Sequence, residues 1–191
     1  MRLLLLLLLV CRPLAAQDYE SLLKQAQRGD PATDFSALRR AFTRLPGYNG
    51  YESPPQLQDM LKALAASDWG TAENLAHTVL ISNYLQLDAH YILLLISRRK
   101  ADPNGEKLHD FMLRGLSRAI RADHDGSSPE QAWNALNVSE EYSVCRLAGW
   151  RMQSQRPVRQ GTRQYDRLTV VNAEGKSFPI YFDITEWFGK L

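Results

Sequence analysis

Two acidic segments contain the side chains of this sequence that are best suited to acid–base chemistry. Asp123 and Asp125 lie in a polar loop, and Glu140 and Glu141 stand at the predicted start of a helix. Paired carboxylates can divide the roles of general acid and general base, so these four are the candidate catalytic residues. The structural alternative is that Asp forms turns and that acids in a first helical turn interact favourably with the helix dipole.

The polar loop also carries an Asp-x-Asp-Gly pattern like that of a calcium-binding loop. Aligning Gly126 with the glycine of such a loop puts Arg121 at the first ligand position and Ala132 at the last, where a bidentate Glu is required. The match therefore fails, and the loop is interpreted as a turn rich in Asp, Gly and Ser.

Four histidines are present, but no two are spaced i, i+4 and no His-Glu-x-x-His occurs. His77, His90 and His109 lie on separate predicted helices and could converge, while His124 lies in the polar loop. We interpret the three helical histidines as side chains satisfied at helix edges. The sequence predicts no metal site and no cofactor.

Residues 1–16 have the layout of a secretory signal peptide, in which Arg2 precedes the apolar run Leu3–Val10 and small residues follow. The run is shorter than the roughly 20 apolar residues of a transmembrane helix. We expect cleavage after Ala16, no transmembrane span, and export to the periplasm, cell envelope or exterior. A lipid anchor at Cys11 is the weaker alternative, because the residue before it is large.

Removal of the leader leaves a neutral chain with one thiol. Two of the 23 basic residues lie in the leader, so 21 remain against 21 acidic residues. A neutral chain lacks the electrostatic basis for nucleic-acid binding. Cys145 cannot form an internal disulfide, and we interpret it as a small buried residue rather than a nucleophile.

Apolar residues at helical spacing predict a bundle of six helices between residues 17 and 122. The predicted starts of these helices are at Asp18, Asp34, Ser53, Asp68, Asp88 and Glu106. Within this half, Ser67–Leu95 resembles part of a tetratricopeptide helix pair, because Ala72 and Ala76 would let two helices approach closely. A plain helical bundle is the alternative.

Residues 123–191 carry strand patterns around one helix that Ser139 is expected to cap. The alternating run Phe178–Ile184 and an earlier apolar run flank the turn Asn172–Gly175, which predicts a β-hairpin. Two further strands are expected at Ala132–Val138 and Trp150–Ser154. The sequence therefore predicts an α+β fold. Its helical bundle, with tetratricopeptide-like pairs, is followed by a small antiparallel sheet with one helix, in one continuous module.

Several segments spread along the chain resemble a known family. They are Asp34–Arg39 with Tyr48–Tyr51, Asp125–Ala132 with Glu140–Tyr142, and Tyr165–Asp166 with Tyr181–Asp183. These segments are similar to the bacterial family called domain of unknown function 4919, over nearly the whole chain after the leader. His124 departs from the smaller residue expected there. The resemblance implies an exported bacterial protein with one module, and it implies no activity.

Two hypotheses for the function follow. The first is a non-enzymatic envelope module, binding or scaffolding, that recognises a protein or peptide. Its candidate binding residues are Tyr48, Tyr51, His124, Ser127 and Tyr142. The second is a hydrolase-like enzyme that uses the four carboxylates between the helical and sheet halves. The absence of a complete catalytic motif in the sequence favours the first, because a fold alone does not supply a reaction.

Overall fold

The structure is a computed structural model that describes residues 14–189 of the 191-residue chain. The apolar run Leu3–Val10 and Cys11 lie outside the described residues. In the described part, no helix combines the length and the apolar character that a membrane crossing requires.

Seven α-helices are present in the described residues, six of them in the N-terminal half. They are α1 (Leu14–Gln27), α2 (Phe35–Phe42), α3 (Leu57–Ala65), α4 (Trp69–Ser82), α5 (Leu87–Arg99), α6 (Pro103–Arg121) and α7 (Val138–Leu147). A short 3-10 helix, Pro129–Gln131, precedes the first strand. The six helices predicted between residues 17 and 122 are therefore all found.

Aspartate caps explain several of the helix starts. The side chain of Asp34 accepts a hydrogen bond from the Ala37 amide at 2.8 Å, and Asp68 accepts one from Thr71 at 3.1 Å. The starts of α5 and α6 differ from the predicted ones. Gln86 stands before α5 and Asp102 caps α6, which begins with proline at its first turn.

Four strands form one mixed sheet in the order β1-β4-β3-β2. They are β1 (Trp133–Asn134), β2 (Arg151–Gln160), β3 (Arg163–Val171) and β4 (Ser177–Asp183). The pairs β2–β3 and β3–β4 are antiparallel, and the predicted hairpin turn joins β3 to β4. Strand β1 lies parallel to β4. A parallel pair needs a long connection, and here the connection contains α7 and two strands. The α+β fold class is confirmed.

Two apolar clusters form the core, and α5 contributes to both. Leu87 belongs to the cluster between α1, α2, α6 and the sheet, whereas Ile92 belongs to the cluster of α3, α4 and α5. A methyl group at Gly115 would clash with the ring of Phe35, so glycine permits the close approach of α2 and α6. Helix α6 contributes Met112, Leu116 and Ile120 to the first cluster, so it lies between the other helices and the sheet.

Strand β2 forms one edge of the sheet and is largely exposed along its length. It carries Arg151, Arg156 and Arg159, and Pro157 lies near its middle. The opposite edge is β1, which is only two residues long.

Candidate functional site

A groove of about 760 Å³ lies between α5, α6 and α7, and we call it the arginine groove. Its apolar wall is formed by Leu94, Leu113, Val144 and Leu147. Its polar wall is formed by four arginines, Arg98, Arg114, Arg118 and Arg121. Ligand sites in proteins combine apolar walls with a few placed polar groups in volumes of roughly 300–1,000 Å³.

Helix α6 supplies three of these arginines because of their spacing. Arg114, Arg118 and Arg121 follow one another at four and three residues, which places them on one face of a helix. The opposite face buries Met112 and Leu116 in the core. The amphipathic pattern of α6 therefore fixes which side chains point to the groove.

The arginines of the groove differ in how far their charge is neutralised. Arg98 pairs with Glu106 at 2.8 Å and Arg114 pairs with Asp110 at 2.7 Å. Within residues 14–189, Arg118 has no ion-pair partner. Because four arginines stand against two aspartates, Asp110 and Asp123, among the lining residues, the groove retains a positive character available to an anionic ligand.

The C-terminal end of α6 has an uncommon backbone conformation beside the groove. Ala122 and Asp123 both have positive φ, at 49° and 64°. A left-handed conformation costs roughly 1–2 kcal/mol in residues that carry a Cβ. Helices commonly end with a left-handed residue, as at Ser67 after α3 and Ala101 after α5, and at the end of α6 this turn places Asp123 on the groove wall.

The residues of the polar loop that follow Asp123 lie in two different environments. His124 lines the groove, and its Nδ1 donates to the Ala132 carbonyl at 3.1 Å. Asp125 instead accepts a hydrogen bond from the Ser127 amide at 2.8 Å. Hydrogen bonds from the side chain and then the backbone of Ser127 lower the pKa of that carboxyl group. Asp125 and Ser127 therefore form an exposed turn.

Glu140 is buried in an ion pair with Arg39, another buried residue. The Arg39 Nε donates to Oε1 at 3.0 Å, and Nη2 donates to Oε2 at 2.7 Å. The same guanidinium donates to the carbonyls of Asn134, at 2.8 Å, and Ala119, at 3.0 Å. The Leu136 amide also donates to Glu140, at 2.8 Å. The Arg39–Glu140 pair therefore joins α2, α6, β1 and α7. Glu140 does not line the arginine groove.

Glu141 lies in a second buried cluster, between α7 and the sheet. Its side chain is fully buried, and Gln155 Nε2 donates both to Glu141, at 3.0 Å, and to Asp166, at 2.7 Å. Burial, and then the charge of Asp166, raises the pKa of Glu141 well above its ordinary value. The Glu141 Oε1 is buried without a hydrogen-bond partner among the described residues, which is consistent with a carboxyl group that keeps its proton.

A third polar network connects α5 and α7. Arg146 donates to Asp88 through Nε at 3.0 Å, and Ser143 donates to the same carboxylate at 2.5 Å. Ser139 donates to Gln86 at 2.9 Å. Asp88 and Ser139 were predicted as helix caps, but both side chains make these buried contacts instead. The cap of α7 is Asn137, which accepts from the Glu140 amide at 2.9 Å.

The aromatic binding candidates lie apart from the arginine groove. The Tyr48 hydroxyl donates to the Leu136 carbonyl, and the Tyr142 hydroxyl donates to Gln155 at 2.5 Å. Tyr51 packs edge-on against Trp187, with ring centroids 5.0 Å apart. Of the predicted site residues, the groove thus brings together Asp123 and His124.

The arrangement of potential metal ligands and of the Cys145 thiol gives no further candidate site in the described residues. No three His, Cys, Asp or Glu side chains in the described part of the chain are grouped to hold a metal ion. Cys145 is buried, and this burial raises the pKa of its thiol to about 11. A protonated, enclosed thiol is a poor nucleophile.

Comparison with known proteins gave one match. The family model described as Domain of unknown function (DUF4919) matches residues 15–190, nearly the whole chain. No curated protein and no solved structure matches the sequence.

Proposed function

The chain belongs to the family of domain of unknown function 4919, and from this starting point we propose that it is an exported, non-enzymatic binding module of the cell envelope. Its ligand is an acidic peptide segment of a partner protein that also carries apolar side chains. The observation that carries this proposal is the arginine groove, in which four guanidinium groups flank an apolar wall.

The charge of the groove supports an acidic ligand. Four arginines and two aspartates, Asp110 and Asp123, line it. Guanidinium groups donate two parallel hydrogen bonds to a carboxylate, which favours Arg at sites that recognise acidic chains. The leucines and Val144 between them would contact apolar side chains of the same segment.

The positions of the acidic residues favour binding over hydrolysis. The enzyme hypothesis required carboxylates from the polar loop and from α7 to meet in one site. Asp123 lines the groove, whereas Glu140 is paired with Arg39 and Glu141 is enclosed against the sheet. A pair of carboxylates cannot act on one bond from separate locations.

The binding proposal is tested with a fluorescent peptide that alternates Glu and Leu, and with a matched peptide that has Lys in place of Glu. The purified protein should bind the acidic peptide and not the basic one. Arg114→Glu with Arg118→Glu should weaken binding by at least about tenfold, equivalent to roughly 1.4 kcal/mol. The matched control is Arg156→Glu with Arg159→Glu on β2, which should bind as the wild type does.

Equal binding of the two peptides, or unchanged binding by the groove variant, would contradict the proposal. Raising the salt concentration should weaken the wild-type interaction, because exposed charges are screened.

Export is tested separately. The full chain is expressed in a bacterial host, and the N-terminus of the recovered protein is determined by mass spectrometry. We expect it to begin at Gln17, and the family match, which begins at residue 15, supports a module that follows the leader. An N-terminus at Met1 would refute export by this leader, and a lipid on Cys11 would replace cleavage after Ala16 with lipoprotein processing.

A further inference from the structure

A second groove, of about 740 Å³, lies on another side of the helical half, and we call it the histidine groove. Its walls come mainly from α1, α4 and α6 and include Tyr19, Leu23, Leu80, Tyr84 and Leu108. His77 and His109 also line it. No Asp, Glu, Lys or Arg occurs among the described residues that form its walls. The groove is therefore suited to an uncharged, largely apolar molecule.

The hydrogen bonds of two histidines determine which nitrogen of His109 is free. His90 Nε2 lies 2.8 Å from the Tyr84 carbonyl, which can only accept, so this nitrogen carries a proton. In neutral His90, Nδ1 is then an acceptor. It lies 2.9 Å from His109 Nδ1, which must therefore donate. The remaining nitrogen, His109 Nε2, has a lone pair and no proton.

His109 lines the histidine groove, and its Nδ1 faces the buried His90. Nε2 is separated from Nδ1 by Cε1 and points in another direction, which leaves its lone pair for the groove. Within residues 14–189, no group donates to Nε2. An acceptor without a donor on an apolar wall is costly when a ligand excludes water from it. A ligand that fits this wall must therefore supply a donor.

His109 remains an acceptor over the ordinary pH range. Burial lowers the pKa of His109 to about 4, with His77 adding to this effect and Asp102 opposing it. Burial likewise lowers the pKa of His90 to about 3. The relay from the Tyr84 carbonyl through His90 to His109 thus stays in one protonation state.

The rim of the groove also carries an exposed apolar side chain. Ile81, which lines the groove, is 87% exposed. It continues the apolar lining formed by Leu23, Leu80 and Leu108 out to the surface, so an apolar molecule can contact it there.

We propose that the histidine groove binds a small, uncharged aromatic molecule that donates one N–H or O–H hydrogen bond to His109 Nε2. The groove volume lies within the range of small-molecule sites. The tyrosine and leucine walls contact the faces of the molecule, and the single acceptor sets its orientation. This site is separate from the arginine groove and does not depend on the function proposed for it.

The test compares indole, which has one N–H donor, with 1-methylindole, which has none, by calorimetry on the purified protein. Indole should bind about tenfold more tightly, as expected for one hydrogen bond to a partly buried acceptor. In ¹⁵N NMR spectra, indole should shift the unprotonated nitrogen of His109. Equal affinity for the two compounds, or no binding of indole at millimolar concentration, would overturn the proposal.

A variant pair gives the residue-level test. His109→Phe keeps an aromatic ring but removes the acceptor, and it should abolish the preference for indole over 1-methylindole. His124→Phe, in the polar loop, is the control and should keep that preference. A retained preference in His109→Phe would overturn the assignment. If this variant does not fold, the ligand pair on the wild-type protein still decides the outcome. The Arg114→Glu, Arg118→Glu protein should bind indole normally, so failure of the two proposals can be distinguished.

Discussion

Replacing Arg39 with methionine should destabilise the protein by about 3–5 kcal/mol, as expected when one partner of a buried ion pair is removed. The Arg39 side chain is 2% exposed and that of Glu140 is 7% exposed. Methionine replaces the apolar part of the arginine side chain but has no donor and no charge, so the Glu140 carboxylate would stay buried without its counter-charge. The carbonyls of Ala119 and Asn134 would also lose a donor.

The measurement is urea denaturation of the wild type and the variant. Arg40→Met is the matched control, since Arg40 is the next residue of the same helix and is exposed. It should change the free energy of unfolding by less than about 0.5 kcal/mol. The double change Arg39→Met with Glu140→Gln should recover part of the loss, because the buried charge is gone. A loss for Arg39→Met no larger than for Arg40→Met would contradict the role assigned to the pair.

Glu141→Gln should stabilise the protein at alkaline pH and flatten the dependence of its stability on pH. Above pH 4.5 the unfolded chain releases the Glu141 proton, whereas the folded protein retains it because burial and Asp166 raise the pKa. The unfolded state then binds fewer protons, so stability falls as the pH rises towards the folded pKa. The slope approaches about 1.4 kcal/mol per pH unit for one proton.

Glutamine preserves the contacts of the neutral acid without the titration. Its carbonyl oxygen can accept from Gln155, as the carboxyl oxygen of Glu141 does. At pH 8 we expect the free energy of unfolding of Glu141→Gln to exceed that of the wild type, with a difference that widens as the pH rises above 4.5. Below pH 4.5 the two proteins should differ little. Denaturation curves between pH 4 and pH 8 provide the measurement.

Glu174→Gln is the control for the change in net charge, because Glu174 lies exposed in the turn between β3 and β4. It should reproduce the wild-type pH dependence. Parallel pH curves for Glu141→Gln and the wild type would show that Glu141 is ionised in the folded protein and would contradict its raised pKa.

The elements that could be predicted from the sequence are those with strong local patterns. Helix α6 has regular apolar spacing, and β4 has alternating residues after a glycine turn, so both were expected, although α6 begins at Pro103 and not at Glu106. The mixed pairing of β1 could not be predicted, since its partner β4 lies about fifty residues later. Local spacing carries no information about such distant pairs.

The polar interior was the part that sequence reasoning missed. Asp88 and Ser139 precede apolar runs and were therefore interpreted as caps, but their partners, Arg146 and Gln86, come from other elements. Likewise, Glu141 lies in the first turn of α7, where acidic residues are common, so the sequence alone does not distinguish it from them. Only the packing of α7 against β3 brings it to Asp166. A residue type that suits a cap equally suits a buried network, and tertiary contacts decide between them.

The candidate site was predicted only in part. Asp123 and His124 were selected for their polarity, and both line the arginine groove. The spacing of Arg114, Arg118 and Arg121 places them on one face of α6, yet these residues were not among the predicted site residues. The convergence of His90 and His109 was considered possible from their placement on separate helices, and the structure joins them.

The exposed edge of the sheet has a consequence for aggregation. A free strand edge offers unpaired amide and carbonyl groups to which a second chain can add. On β2, the arginines at 151, 156 and 159 would repel their counterparts in such a pair, and Pro157 removes one donor. At the other edge, β1 offers only two residues. The β2 edge of the sheet is therefore protected against growth into cross-β assemblies, although β3 and β4 are rich in the residues that form them.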